Sequence, residues 1–414
     1  MVFRKTPLLL LILLLAGLAS CNKTGVVPDK GTDLVLTPVE QQKVAADNAF
    51  TLKLFKNLDS AKTAGTNLFI SPLSVSIAFG MTSNGAAGQT LTAINKTMNF
   101  NGFTQAQVNN YYDQLITDLP KLESNTTINI ANSIWYRQGF SVLPQFIQTN
   151  TDYYHANVQA LDFGSPSAVG TINNWVSLQT KGKIPTIVNF IPDNAVMYLI
   201  NAIYFKSSWN TKFDAAKTAP LPFYLADNST VQSQFMDGKI DFKRFDNTEA
   251  HVFELPYSNK KYSMVIVMPG TGTSVRQLVT TLDSVKWKAW MAGLSEVNSE
   301  LKLPKFTFSY NISLIDALKA LGMGIAFSSG ANFSGINATL PLAITEVKHK
   351  AYIAVDESGT TAAAVTSVGI TTSAVQNPPP SVIDHPFIFA IREMSSGLIL
   401  FAGTMNNPNA PSAP

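Results

Sequence analysis

The residues able to act as catalysts or metal ligands are few and scattered. Histidine stands at 155, 251, 349 and 385, and the single cysteine is Cys21. A zinc site needs three or four such groups at short, recurrent spacing, and no such spacing occurs, so neither a metal nor a cofactor is expected. A serine hydrolase needs Ser, His and an acid that converge in space, and no Gly-x-Ser-x-Gly turn or Ser-x-x-Lys in a convincing setting announces one. The glycine-rich stretch Pro269-Gly-Thr-Gly-Thr-Ser274 lacks the lysine of a phosphate loop and reads as a hairpin turn. His349, in Val347-Lys-His-Lys-Ala351 beside an apolar strand, reads as a hydrogen-bonded core residue, and His155 and His251 as surface or edge residues.

The segment with unusual chemistry is one without charge. Residues 358–383 contain no Asp, Glu, Lys, Arg or His, although Asp356-Glu357 precede them and Asp384-His385 follow. From Gly359 to Val368 the side chains are small or β-branched, and further on stand Pro378, Pro379 and Pro380. Strand periodicity puts Thr360, Ala362, Ala364, Thr366 and Val368 on one face and Thr361, Ala363, Val365 and Ser367 on the other. Neither face carries a group that is costly to bury, so the first half is fit to enter a sheet, whereas the prolines bar the second half. On composition alone, a plain internal strand or a Thr/Ala/Pro-rich linker fits as well.

The elements that would position this segment read as a mixed set. Apolar spacing predicts helices over residues 39–58, 104–119, 144–154, 167–180, 274–282 and 312–321. Another is predicted after Ser71-Pro72, where a capping residue precedes proline at the first helical position, and it closes at 85–88. Alternation or apolar runs predict strands over 127–136, 196–205, 250–255, 262–268, 300–308, 351–355, 387–392 and 398–405. Helices cluster early and strands late without regular alternation, which implies an α+β fold rather than a doubly wound parallel sheet.

Of the 414 residues, 46% are apolar and 14% charged, a balance that excludes intrinsic disorder. Residues 1–20 read as an export signal: Arg4 and Lys5, an apolar run from Leu8 to Leu15, then Leu18-Ala19-Ser20. That run is shorter than the ~20 residues a membrane-spanning helix needs. Leu-Ala-Ser-Cys21 resembles a bacterial lipobox, in which the cysteine is acylated; the alternative is an ordinary signal that ends near a cysteine. The expected location is therefore exported and lipid-anchored to a bacterial membrane, on the periplasmic face of the outer membrane, or extracellular. Residues 21–38 read as a tether, 39–408 as one domain and 409–414 as a tail. Removing Arg4 and Lys5 leaves a net charge near +1, and without clustered basic residues no nucleic-acid partner is expected.

Over residues 39–408 several motifs, in order, resemble the serpin family. They are Asn67-Leu-Phe-Ile-Ser-Pro-Leu-Ser-Val-Ser76, Asn201-Ala-Ile-Tyr-Phe-Lys-Ser-Ser-Trp209 with Phe213, and Leu303-Pro-Lys-Phe-Thr-Phe308. Phe327-Ser-Ser-Gly-Ala-Asn-Phe-Ser-Gly335, His349-Lys-Ala351 and His385-Pro-Phe-Ile-Phe389 complete the series. The resemblance implies one domain of three β-sheets and about nine helices, with residues 359–381 exposed as bait. It implies no enzyme but a suicide-substrate inhibitor, a monomer whose partner is a serine protease captured as a covalent acyl complex while the cut loop enters the main sheet. A papain-like cysteine protease is the alternative partner, and a non-inhibitory binding protein the alternative function.

Carried over residue by residue, Gly359 is the hinge, Thr360 the first side chain to be buried, and Ala362, Ala363 and Ala364 the small run of inhibitory members. Thr361 departs from the glutamate usual there. Glu357 and Lys305 match a pair near the top of the sheet, with Trp209 and Phe213 packing where the loop enters. Ser71, Ser74, Asn201 and His349 match the polar cluster that holds the strands where they part. Counting from the hinge places the cleaved bond between Ser373 and Ala374, flanked by Thr371, Thr372 and Val375. These small residues imply a target of elastase-like or subtilisin-like preference.

Overall fold

The protein is described here from a computed structural model that covers Met1, residues 31–360 and residues 380–411. Nine α-helices and fifteen strands are present among the described residues. Six strands form one sheet, in the order Phe306–Ser313, Lys348–Asp356, Gly359–Thr360, Met197–Ser208, Thr126–Arg137, Asn157–Leu161. The other strands form a nine-stranded sheet, centred on Tyr262–Pro269 and Phe387–Glu393. It holds what the family resemblance implies as the second and third sheets, joined because the 17-residue strand Thr230–Asp246 pairs with three neighbours.

Local chemistry fixes the helix starts. Thr37 and Glu40 form a capping box at the first turn of Pro38–Ala61, Thr104 and Gln107 do so for Gln105–Asp118, and Ser274 and Gln277 for Val275–Thr281. Ser71 caps Pro72–Ser83, whose first position is proline. This buried helix runs beneath the six-stranded sheet, and all but one of its twelve residues are inaccessible to solvent.

The core lies between the two sheets. Phe69 stacks on Phe389 and Phe401 with ring centroids 5.6 and 5.4 Å apart, and Phe306 and Phe308 close the cluster from the six-stranded side. A second, smaller core of Trp135, Phe163, Ile172, Val176, Ile184 and Val188 packs the helix Ala168–Gln179 onto the outer face of that sheet.

Several elements differ from the sequence reading. The helices Gly88–Thr97 and Ser284–Gly293 and the strands Asn157–Leu161, Ala219–Tyr224 and Thr230–Asp246 were not expected. In Thr230–Asp246 the buried positions run Ser233, Phe235 and then Met236, Gly238, Ile240, Phe242, so the alternation changes phase at Phe235-Met236, and Asp237, Gly238 and Lys239 dilute its apolar signal. The expected strand at 300–308 is two strands, Ser295–Pro304 and Phe306–Ser313, which belong to different sheets. The expected helix at 312–321 begins only at Ile315, because the preceding strand runs on to Ser313. Residues 31–37, read as tether from their glycine and proline content, lie against the domain: Leu34 is buried and Asp33 pairs with Lys261 at 2.9 Å. Asn409, read as tail, bonds to Gln232 and Ser233.

Candidate functional site

Two long strands near the middle of the six-stranded sheet, Met197–Ser208 and Lys348–Asp356, flank a strand of two residues. Gly359 and Thr360 pair with Asp356 and Val355 on one side and with Ser208 and Ser207 on the other. Among the described residues no further ladder joins the two long strands. A cavity of about 190 Å³ lies between and beneath them at the opposite end, lined in part by Asn201, His349, Ser74, Phe333 and Val347.

At the Gly359 end the site is tied together from all sides. Gly359 has φ of +150°, and a Cβ there would lie 2.1 Å from the carbonyl oxygen of Ser207, so only glycine passes. Thr360 is buried, and its hydroxyl lies 2.6 Å from the Tyr257 hydroxyl. Burial pushes the Tyr257 phenol well above its ordinary pKa, so it stays protonated and able to donate. Tyr257 stacks on Trp209 at 4.6 Å, and Phe213 meets Trp209 edge-on. The Trp209 indole donates to the Asp356 carbonyl at 2.9 Å, and the Trp209 and Phe213 backbone N–H groups donate to Ser358 and Glu357.

Glu357 and Lys305 form the expected pair, with Lys305 Nζ 2.9 and 2.8 Å from the two carboxylate oxygens, and the Thr218 hydroxyl donates to the same group at 2.6 Å. Burial works to raise the pKa of Glu357, but the hydrogen bonds from Lys305 and Thr218 outweigh it and hold the carboxyl below its ordinary value. The carboxylate therefore stays charged and pins the turn that leads into Gly359.

At the far end the four polar residues singled out from sequence also meet. The Ser71 backbone N–H donates to His349 Nε2 at 3.0 Å, which fixes that nitrogen as an acceptor. The Ser71 hydroxyl donates to the Leu400 carbonyl and accepts from Ser74 N–H. The Ser74 hydroxyl reaches the Asn201 carbonyl at 3.5 Å. Burial pushes His349 down to about 4, so the ring is neutral at physiological pH. The Asn201 side-chain amide donates to Asn132 Oδ1 at 2.7 Å, while its side-chain oxygen Oδ1, unlike the backbone carbonyl that Ser74 reaches, has no hydrogen-bond partner among the described residues.

Sequence reasoning missed Tyr257, Thr218 and Asn132. Each lies far along the chain from the group it bonds, and no local motif marks it. Cys21, Thr361, Ala362, Ala363, Ala364, Thr371, Thr372, Val375 and the Ser373–Ala374 bond lie outside the described residues. Among the described residues no three of His, Cys, Asp and Glu come together as a metal site, and no helix is long and apolar enough to cross a membrane. His155 and His251 pair with Asp113 and Asp246 near the surface.

Comparison with known proteins agrees with this geometry. Residues 45–408 match the family model described as serpin (serine protease inhibitor). The leukocyte elastase inhibitor of Sus scrofa is 35% identical over 383 residues, covering 89% of this chain and all of that one, and the Homo sapiens protein is 34% identical with the same coverage. Among solved structures the thermophilic serpin tengpin in its native state superposes with a TM-score of 0.81 at 33% identity, covering 91% of this chain and 96% of that one. Thyroxine-binding globulin in complex with thyroxine gives 0.80 at 28%, covering 89% and 100%. A family match across most of the chain, together with relatives above 30% identity over their full length, places it: the protein is a member of the serpin family of protease inhibitors.

Proposed function

We propose that the protein inhibits serine endopeptidases of elastase-like or subtilisin-like preference by a single-use mechanism, acting as a monomer held to a bacterial membrane through a lipid on Cys21. The observation that carries this is the two-residue strand Gly359–Thr360. It enters between two long strands that are otherwise unjoined among the described residues, and the uncharged sequence that follows it suits a strand. The protease serine attacks the Ser373 carbonyl and the bond to Ala374 breaks. The new amine of Ala374 leaves with a proton, and Ser373 stays esterified to the enzyme. Residues from Thr360 onward then extend the two-residue strand down the sheet, carrying the ester-linked protease with them. The small residues Thr371, Thr372, Ser373, Ala374 and Val375 suit a shallow apolar primary pocket, which supports the elastase-like and subtilisin-like targets over trypsin-like ones.

The likeness to thyroxine-binding globulin favours one second reading, a ligand carrier on the same scaffold. Incubation with an elastase or a subtilisin separates the two. The inhibitor yields a complex of summed mass that survives denaturing electrophoresis, and mass spectrometry finds a new N-terminus at Ala374. Cleavage with full protease turnover and no such complex defeats the inhibitor reading, and complexes with a papain-like enzyme alone redirect it to cysteine proteases.

A further inference from the structure

The chain does not leave the domain at an arbitrary place. Gly31 has φ of +61°, and a Cβ there would lie 2.6 Å from the Leu122 carbonyl oxygen, so the backbone lies flat on the surface. Thr32 N–H donates to the same carbonyl at 2.7 Å. Asp33 pairs with Lys261, Leu34 is buried with its N–H on the Ser395 hydroxyl at 3.0 Å, and Gln114 donates to the Val35 carbonyl at 2.7 Å.

These contacts all lie at the hinge end of the six-stranded sheet. Lys261 sits in the tight turn between Tyr257 and Tyr262, whose backbones bond at 2.8 Å, and Tyr257 touches Thr360. Glu123, next to Leu122, accepts from Asn259 N–H in that turn and from the Thr126 hydroxyl. Thr126 in turn lies opposite Ser207, which pairs with Thr360. The far end of the sheet, where Met197 pairs with Tyr136, is a further ~33 Å away at about 3.3 Å per residue.

Resting on the lipid-anchor reading above, we propose that docking of residues 31–36 fixes the anchored protein with its bait-loop end toward the lipid surface, so that its partners are proteases working at that surface. Only nine residues separate Cys21 from Gly31, and the ten Cα steps between them span at most about 36 Å fully extended. Turning the other end of the sheet to the membrane would consume nearly all of that length. Loop insertion down the sheet then carries a captured protease away from the surface on which it was acting.

The test uses lipidated full chain, extracted in detergent and reconstituted into phosphatidylethanolamine/phosphatidylglycerol vesicles. Acylation leaves an introduced cysteine as the only free thiol. Ala216→Cys, exposed beside the hinge, and Asp193→Cys, exposed at the far end, each receive a donor dye against a headgroup-labelled acceptor lipid. The expected result is energy transfer at least about twofold higher from position 216 than from 193, since the two lie near opposite ends of the strand Met197–Ser208. The double variant Asp33→Lys/Leu34→Asp, which undocks the segment, brings the ratio toward one without changing inhibition of a soluble protease in detergent. The same variant slows complex formation with a protease displayed on the vesicles. Failure to float with vesicles defeats the anchor and the proposal with it. Flotation with equal transfer from both positions, or a ratio and rate unmoved by the double variant, defeats the orientation alone.

Discussion

The two sheets of this molecule are built from similarly apolar strands and end in different states. Phe387–Glu393 is paired along nearly its whole length on both flanks, with Ile399–Met405 and with Tyr262–Pro269. Met197–Ser208 is paired along its length with Thr126–Arg137 on one flank, and among the described residues with two residues on the other. An unpaired strand flank is a standing invitation to another strand, which proteins normally cover or blunt. The nine-stranded sheet also holds a long strand, Ser295–Pro304, that meets two residues, Ser381–Val382, on one flank among the described residues, but that pairing lies at the sheet's edge. In the six-stranded sheet the two-residue strand falls between two long ones, and that is the opening the proposed inhibitory mechanism uses.

The strongest way to break the contrast is to make the open sheet refuse a strand. Thr360→Arg places an unpaired charge where the native side chain is buried, at a cost of several kcal/mol, and about 1.4 kcal/mol already shifts a kinetic partition tenfold. The variant is expected to be cut as a substrate, with inhibitor consumed per protease rising roughly tenfold or more in a titration of residual activity. The converse is to complete the sheet. Cleavage of the loop by a protease that is not trapped should raise the thermal midpoint by roughly 10 °C or more, since some ten new backbone hydrogen bonds contribute about 1 kcal/mol each. A midpoint unchanged by cleavage would mean that the sheet has no strand to gain.

The lower clasp can be read through pH. His349 is held neutral by burial, with its pKa lowered from 6.5 to about 4. The unfolded chain therefore takes up the proton first as pH falls. The contribution is fully present above pH 6.5, declines as pH falls toward 4 and levels off below that, a loss of about 3 kcal/mol over the window. His349→Gln should remove that portion of the slope in chemical denaturation, and an unchanged slope would locate the acid sensitivity elsewhere. At the upper clasp, Tyr257→Phe deletes one buried hydrogen bond to Thr360 and should lower stability by about 1 kcal/mol. The Lys305–Glu357 pair is partly exposed on the lysine side, so Lys305→Met should cost less, roughly 0.5 kcal/mol, and the loss should shrink in high salt.

Much of the site was legible in the chain. Gly359 and Thr360 stand out because an uncharged run of small residues beside Asp356-Glu357 is chemically odd, and the resemblance to serpins pairs Glu357 with Lys305, as their 2.8–2.9 Å contacts do. The helix starts were legible too, since Thr37, Ser71, Thr104 and Ser274 signal through partners no more than three residues away. Thr230–Asp246 was not, because one strand serves three neighbours and its burial pattern changes along its length. Tyr257 and Asn132 were invisible for a related reason: their importance lies in one contact each, to residues 103 and 69 positions away.

The sequence by itself determined the ingredients: where helices begin, which stretches must be buried, and that one long segment can be buried without paying for a charge. Only the tertiary structure decided that Thr360 is already buried between Val355 and Ser207, and that Asn201 keeps an open acceptor beside the cavity. It also decided that residues 31–36 return to the same end of the sheet as the hinge. Local pattern governs what a residue is able to pair with, whereas pairing between strands hundreds of residues apart depends on how the whole chain closes, and no short window of sequence contains that information.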